Sequence, residues 1–197
     1  MSNSSHSNVL IIGGGCAGIS VASRLHSLKS DLNISIIEPS DKSLYQAAWT
    51  LVGAGAYDVG STIKQMSEVM PSYVKWIKEY AEEFMPETNS IKTNNGTYTY
   101  DFLVVCPGLK LNFDGVAGLK EHLGKNNVCT NYSAEMATYT WECLKNLDGG
   151  TLLFTEPPMP IKCAGAPQKI AYLAADHLKK KGKLNESHLE FLCAKPV

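Results

Sequence analysis

No run of about 18 apolar residues occurs in the chain, so no transmembrane helix is predicted. Charge of one sign is equally scarce. The 197 residues hold 18 Lys and Arg against 19 Asp and Glu, a net charge of −1, which gives no electrostatic case for nucleic acid or an anionic membrane. The run Lys179-Lys180-Lys181 suits a solvated helix end, where cations complement the helix dipole. There is no CxxC pair, and Cys16, Cys106, Cys129, Cys143, Cys163 and Cys193 are too scattered to share a structural zinc ion with histidines. The opening MSNSSHSN has none of the arginines of a transit peptide and reads as a flexible polar tail. Nothing resembling a signal peptide precedes the Asn-x-Ser/Thr sequons at Asn3, Asn33, Asn95, Asn131 and Asn185. These are therefore expected to be unused, and the thiols reduced.

What is present is ordinary globular material, 44% apolar and 19% charged. Asn8–Ile12 is a short apolar run that ends in glycines, and Ile19, Ala22 and Leu25 can then share one helix face. Asn33–Ile37 follows as a second buried strand, completing a βαβ unit of about 30 residues. A helix is expected over Thr62–Met70, stopped by Pro71. Ser90–Cys106 reads as a hairpin turning at Asn95-Gly96. Beyond a Gly- and Asn-rich stretch, a helix is expected over Ser133–Leu147, a strand over Thr151–Thr155, a helix over Gln168–Lys181 and a strand from Leu189. The fold class is therefore α/β. A Rossmann-like domain with a parallel sheet and a hairpin excursion (8–125) is followed by the start of a second, incomplete Rossmann-like domain (126–197).

Gly13-Gly-Gly15-Cys-Ala-Gly18 matches GxGxxG between a strand and a helix, and Glu38 ends the next strand. Gly13 permits the tight turn, Gly15 lets backbone approach a pyrophosphate, and Gly18 allows close helix–strand packing. The helix start offers N–H groups to phosphate, and Glu38 would accept from ribose hydroxyls. A glycine turn without a ligand is the alternative. The motif does not choose between FAD and NAD, but the hairpin ending in Pro107-Gly108 resembles the second flavin-contacting motif of two-dinucleotide flavoproteins.

A second nucleotide unit would repeat the glycines after Thr151–Thr155. The chain there reads TEPPMPIKCAGAPQK, with one glycine, Gly165, and three prolines ahead of the cysteine. Such a loop offers few free N–H groups for a pyrophosphate, so nicotinamide binding is not expected here. It does offer a thiol. Pro167 suits a first helical turn, which places Cys163 just outside the helix start with Lys162 and Lys169 nearby, and such surroundings favour thiolate. The alternative is a small apolar residue placed for packing.

LYQAAWTLVGAGA (Leu44–Ala56) and PIKCAGAPQKIAYL (Pro160–Leu173), with GGGCAGIS, IIEPS, the VCPG segment and Asn131-Tyr-Ser, resemble the mitochondrial-type sulfide:quinone oxidoreductase family. The resemblance runs through nearly the whole chain. It implies FAD as cofactor, hydrogen sulfide and a sulfur acceptor as substrates, a membrane quinone as electron acceptor, and association with the mitochondrial inner membrane. It also implies that Cys163 is one of a redox pair and forms a persulfide, and that Gly13, Gly15, Gly18, Glu38, Gln46, Ala81 and Gly108 hold FAD. Family members are about twice as long by this resemblance. The expectation is therefore a truncated form, with the partner cysteine and quinone pocket elsewhere; CAKPV does not continue the family pattern. Among the other cysteines, Cys129 is the one to test; Cys143 and Cys193 read as packing positions. A type II NADH:quinone oxidoreductase and a non-catalytic dinucleotide-binding fragment are the competing identities.

Overall fold

The computed structural model describes residues 3–194. Val9–Ile12 is an unbroken apolar run, the pattern of a strand buried on both faces, and all four side chains are buried. They end β1 (Asn3–Ile12), which is followed by α1 (Cys16–Leu28), β2 (Ile34–Ile37), β3 (Lys42–Leu44), α2 (Trp49–Gly53), β4 (Ile63–Gln65), α3 (Met66–Val69) and β5 (Val74–Ile77). Next come β6 (Ala81–Met85), β7 (Ser90–Thr93), β8 (Gly96–Val105), α4 (Leu119–His122), α5 (Ala134–Asn146), β9 (Gly150–Glu156), α6 (Gly165–Lys180) and β10 (Ser187–Cys193). The chain divides into two compact units. One takes the residues up to Leu44 together with Ile63–Gly108; the other takes Tyr45–Thr62 and the described residues from Leu109 on.

The first unit is built on a six-stranded sheet in the order β5-β2-β1-β8-β7-β6. The pairs β5–β2, β2–β1 and β1–β8 are parallel, while β8–β7 and β7–β6 are antiparallel, so the sheet is α/β with a hairpin excursion. Ala22 of α1 is packed with Val9, Ile11, Ile34 and Ile36 on one face. Leu10, Ile12, Ile37, Ile77, Tyr98 and Tyr100 form a second cluster on the other. The chain leaves β1 for β2 on one side and returns to β8 on the other. That reversal is a topological switch point, where open α/β sheets bind ligands beyond their carboxyl strand ends.

The structure departs from three expectations about secondary structure. From Asn3 on, MSNSSHSN is not a tail; Met1 and Ser2 lie outside the described residues. From Asn3 the chain is strand, paired with Gly96–Tyr100 of β8, because ladder hydrogen bonds come from backbone and accept polar side chains. Thr62–Met70 is not one helix: Ile63–Gln65 pairs antiparallel with Lys42–Leu44, which leaves only the single turn α3 before Pro71. α6 begins at Gly165 rather than Gln168, since Pro167 costs nothing in a first turn whose N–H groups lack helical partners. Of CAKPV, the residues 195–197 lie outside the described part.

In the second unit β9 and β10 form a parallel pair. Leu144 of α5, Leu152 of β9 and Ile170, Ala174 and Leu178 of α6 make one buried cluster, with Trp141, Phe154 and Leu189 against it. This helix–strand–helix–strand arrangement sets the start of α6 at the carboxyl end of β9. Among the described residues no helix is long and apolar enough to cross a membrane.

Candidate functional site

Backbone confines the glycine turn between β1 and α1 at Gly13 and Gly18. Gly13 has φ +102, and a Cβ there would lie 2.2 Å from the Cys106 carbonyl oxygen. A Cβ on Gly18 would lie 1.9 Å from the Gly13 oxygen, so α1 can sit this close to the turn only without a side chain. At Gly15 a Cβ would meet nothing within 4 Å. Gly15 therefore faces open space, and α1 has no side-chain cap to occupy its free N–H groups. An uncapped helix start beside an open glycine suits a phosphate.

Glu38, just past β2, completes this end of the unit. Its carboxylate accepts from the Gly14 N–H at 2.8 Å and from the Ser40 N–H at 2.7 Å. The Trp76 indole N–H donates to its carbonyl at 2.8 Å. A carboxylate has about four acceptor sites, so two remain for ribose hydroxyls. Gly14, the variable position of the motif, escaped the sequence reading. A Cβ there would lie 2.8 Å from both Cβ and Cγ of Glu38, so the glycine makes room for the acid. The only sequence signal was the third glycine in the run. Glu38→Gln would set an amide N–H₂ against a backbone donor. We expect it to lower stability by about 1–2 kcal/mol in urea unfolding, and an unchanged midpoint would contradict this anchoring.

The remaining expected cofactor residues are less concentrated. Cys106 donates its backbone N–H to the Ile12 oxygen at 2.9 Å, and Pro107 lies against Gly13, so the end of β8 reaches the glycine turn. Gly108 follows at φ +78 with open space where a side chain would be. Ala81 starts β6, opposite Thr93, and packs on the cluster that contains Ile12 and Ile37. Gln46 is exposed in a short turn of the second unit (Gln46–Ala48).

Cys163 lies in the second unit, two residues before α6, and is exposed. Among the described residues of the β9–α6 loop it alone has a left-handed backbone, φ 59, which is uncommon for a residue with a side chain. Its carbonyl accepts from the Ala166 N–H at 3.0 Å and from the Tyr132 hydroxyl at 3.2 Å. α6 carries no side-chain cap either. Tyr132 was noted in the sequence only as part of Asn131-Tyr-Ser; no local signal ties it to a cysteine 31 residues later.

All six cysteines are free. Burial pushes the Cys129 thiol up, the Thr140 hydroxyl offsets part of that, and nearby Cys143 adds to it. Cys129 is thus held as a thiol. Burial also raises Cys106. Cys193, expected to pack, is exposed, because it stands at the open end of β10. Among the described residues no group of His, Cys, Asp and Glu could hold a metal ion.

The sulfide:quinone oxidoreductase of Dictyostelium discoideum, named as mitochondrial, is 44% identical over 186 residues, covering 93% of this chain and 41% of that protein. The chain thus spans less than half the length of this curated relative. A type II NADH:quinone oxidoreductase of Staphylococcus haemolyticus is more distant, at 29% over 118 residues, 58% of this chain and 29% of that protein. In three dimensions the chain resembles the crystal structure of the Aquifex aeolicus sulfide:quinone oxidoreductase with a TM-score of 0.77 at 28% identity. That match covers 97% of this chain and 43% of the other. The model of one family, the pyridine nucleotide-disulphide oxidoreductases, matches residues 7–141. On that match, which takes in the glycine turn, the sheet and the hairpin, the chain belongs to the pyridine nucleotide-disulphide oxidoreductase family.

Proposed function

We propose that this chain is the FAD-binding and thiol-bearing part of a mitochondrial sulfide:quinone oxidoreductase, oxidising hydrogen sulfide and delivering the electrons to a membrane quinone. The observation that carries this reading is the β9–α6 loop. Where a nicotinamide-binding unit needs glycines, the loop has prolines and an exposed Cys163. FAD fits the first unit, because Gly15 is open, α1 is uncapped and Glu38 is fixed with acceptor capacity to spare. When bound there, FAD supplies a two-electron redox centre. Gly13 and Gly18 shape the turn, Gly15 admits the pyrophosphate to the N–H groups of α1, and Glu38 holds the adenosine ribose. Ala81 and Gly108, in the same unit, would complete the cofactor's surroundings.

Cys163 is the reacting thiol. Paired as a disulfide with a second cysteine, its sulfur is attacked by HS⁻; the S–S bond breaks, Cys163 keeps the new sulfur as a persulfide, and the partner leaves as thiolate. A sulfur acceptor then takes the terminal sulfur and frees Cys163. The 126–197 segment is the cysteine-bearing domain, and 8–125 the dinucleotide domain. Association with the inner membrane follows from the quinone as acceptor.

Anaerobic sulfide added to the FAD-loaded full-length form, which carries the second cysteine, should bleach its flavin absorbance, and Cys163→Ala should abolish the bleaching. Bleaching that survives the substitution removes Cys163 from the reaction. The distant likeness to a type II NADH:quinone oxidoreductase supports a second reading, which bleaching by NADH in place of sulfide would establish. A preparation that takes up no FAD would favour a non-catalytic fragment.

A further inference from the structure

The Asn131-Tyr-Ser segment has no part in the function above, yet the hydroxyl of its tyrosine reaches the backbone of the cysteine that does. Tyr132 stands just ahead of α5, and Cys163 just ahead of α6. The two helices share one buried cluster, so both residues are mounted on packed elements. The Tyr132 O–H donates to the Cys163 carbonyl at 3.2 Å, and the Ala166 N–H donates to the same oxygen at 3.0 Å. The second bond is part of the helix start and belongs to any chain entering α6. The first links residues far apart in sequence.

We propose that Tyr132 is a positioning residue for Cys163: its hydroxyl holds the Cys163 carbonyl and so keeps the thiol on a left-handed backbone at the open end of α6. The proposal rests on Cys163 being the reacting thiol. A residue with a Cβ leaves the left-handed region readily, because that conformation brings Cβ against the following carbonyl. Two donors on one carbonyl oppose that relaxation; one opposes it less. The hydroxyl is a donor at any working pH, since burial, with the Cys163 thiol and the Glu156 carboxylate nearby, pushes it up to about 12. Held this way, Cys163 stays two residues from the first helical position of α6, with its side chain exposed to reagent.

Tyr132→Phe removes the hydroxyl and keeps the ring. The test is the alkylation rate of individual cysteines by iodoacetamide, read by peptide mass spectrometry on the full chain, with the urea midpoint measured alongside. Tyr132→Phe should slow labelling of Cys163 about five-fold, the loss expected for one net hydrogen bond, and leave the exposed Cys16 and Cys193 unchanged. An unchanged Cys163 rate overturns the proposal. So does a parallel change at all three cysteines, which would report general loosening. If Tyr132→Phe shifts the midpoint, the comparison is repeated in the Cys163→Gly background, where a left-handed residue is unstrained. Positioning requires Tyr132→Phe to shift the midpoint more there, because the released cysteine of the parent recovers strain that glycine never carries, and an equal or smaller shift in the glycine background overturns it. Labelling needs neither FAD nor sulfide, so this result is independent of whether sulfide bleaches the flavin.

Discussion

Gly18→Ala is expected to lower the melting temperature by roughly 6–12 °C, the effect of about 3 kcal/mol in a chain of this size. The added Cβ would stand 1.9 Å from the Gly13 carbonyl oxygen and 3.3 Å from the Ile11 side chain. The nearest atom is backbone, held in a turn where Gly13 donates its N–H to the Ile37 oxygen at 2.9 Å, so it cannot swing aside. Either α1 lifts from β1, opening the packing of Ala22 on Val9 and Ile11, or the turn opens. Total stabilities near 5–15 kcal/mol make either response visible. Gly15→Ala provides the contrast. Gly15 has φ −74 and free space around it, so alanine should leave the melting temperature within about 2 °C. On the function proposed above it would nevertheless put a methyl group where backbone meets phosphate, so bound FAD should fall by about ten-fold or more at equal protein. A Gly18→Ala protein that melts like the parent would refute the close packing. A Gly15→Ala protein that keeps its flavin would refute the phosphate site.

These two glycines also mark how far sequence carries. Gly13, Gly15, Gly18 and Glu38 were legible because a strand–turn–helix unit is specified by residues close in sequence, each with a local steric or hydrogen-bonding duty. The hairpin at Asn95-Gly96 and the strand at Asn8–Ile12 were legible for the same reason. The polar first half of β1, residues 3–7, was not: its pairing partner lies in β8, and backbone ladders leave no trace in polar side chains. Nor was β4, whose residues follow Lys42–Leu44 rather than their own helical propensity. Most of the arrangement around Cys163 was hidden too. The cysteine could be placed near a helix start from Pro167, but its left-handed backbone and the Tyr132 hydroxyl come from long-range packing of α5 and α6.

The left-handed backbone of Cys163 predicts that function and stability part company at this residue. Cys163→Ala keeps the Cβ and its strain while removing sulfur, so its unfolding free energy should stay within about 0.5 kcal/mol of the parent. Cys163→Gly removes the Cβ as well. A left-handed residue costs about 1–2 kcal/mol when it carries a side chain, and glycine's greater freedom in the unfolded chain returns part of this, so a net gain of about 1 kcal/mol is expected. Little burial is lost in either case, because the side chain is exposed. On the function proposed above, both variants of the full-length form should lose sulfide-driven bleaching entirely, for want of a sulfur to carry the persulfide. Urea unfolding of the three proteins checks the order: Gly above the parent, and Ala level with it. A Cys163→Gly protein less stable than Cys163→Ala would mean that the backbone at 163 is not strained. The ordering matters because glycine would be the easier residue to place in this turn. Packing does not account for an exposed side chain on a left-handed backbone, so the sulfur is what the proposed function needs at this position.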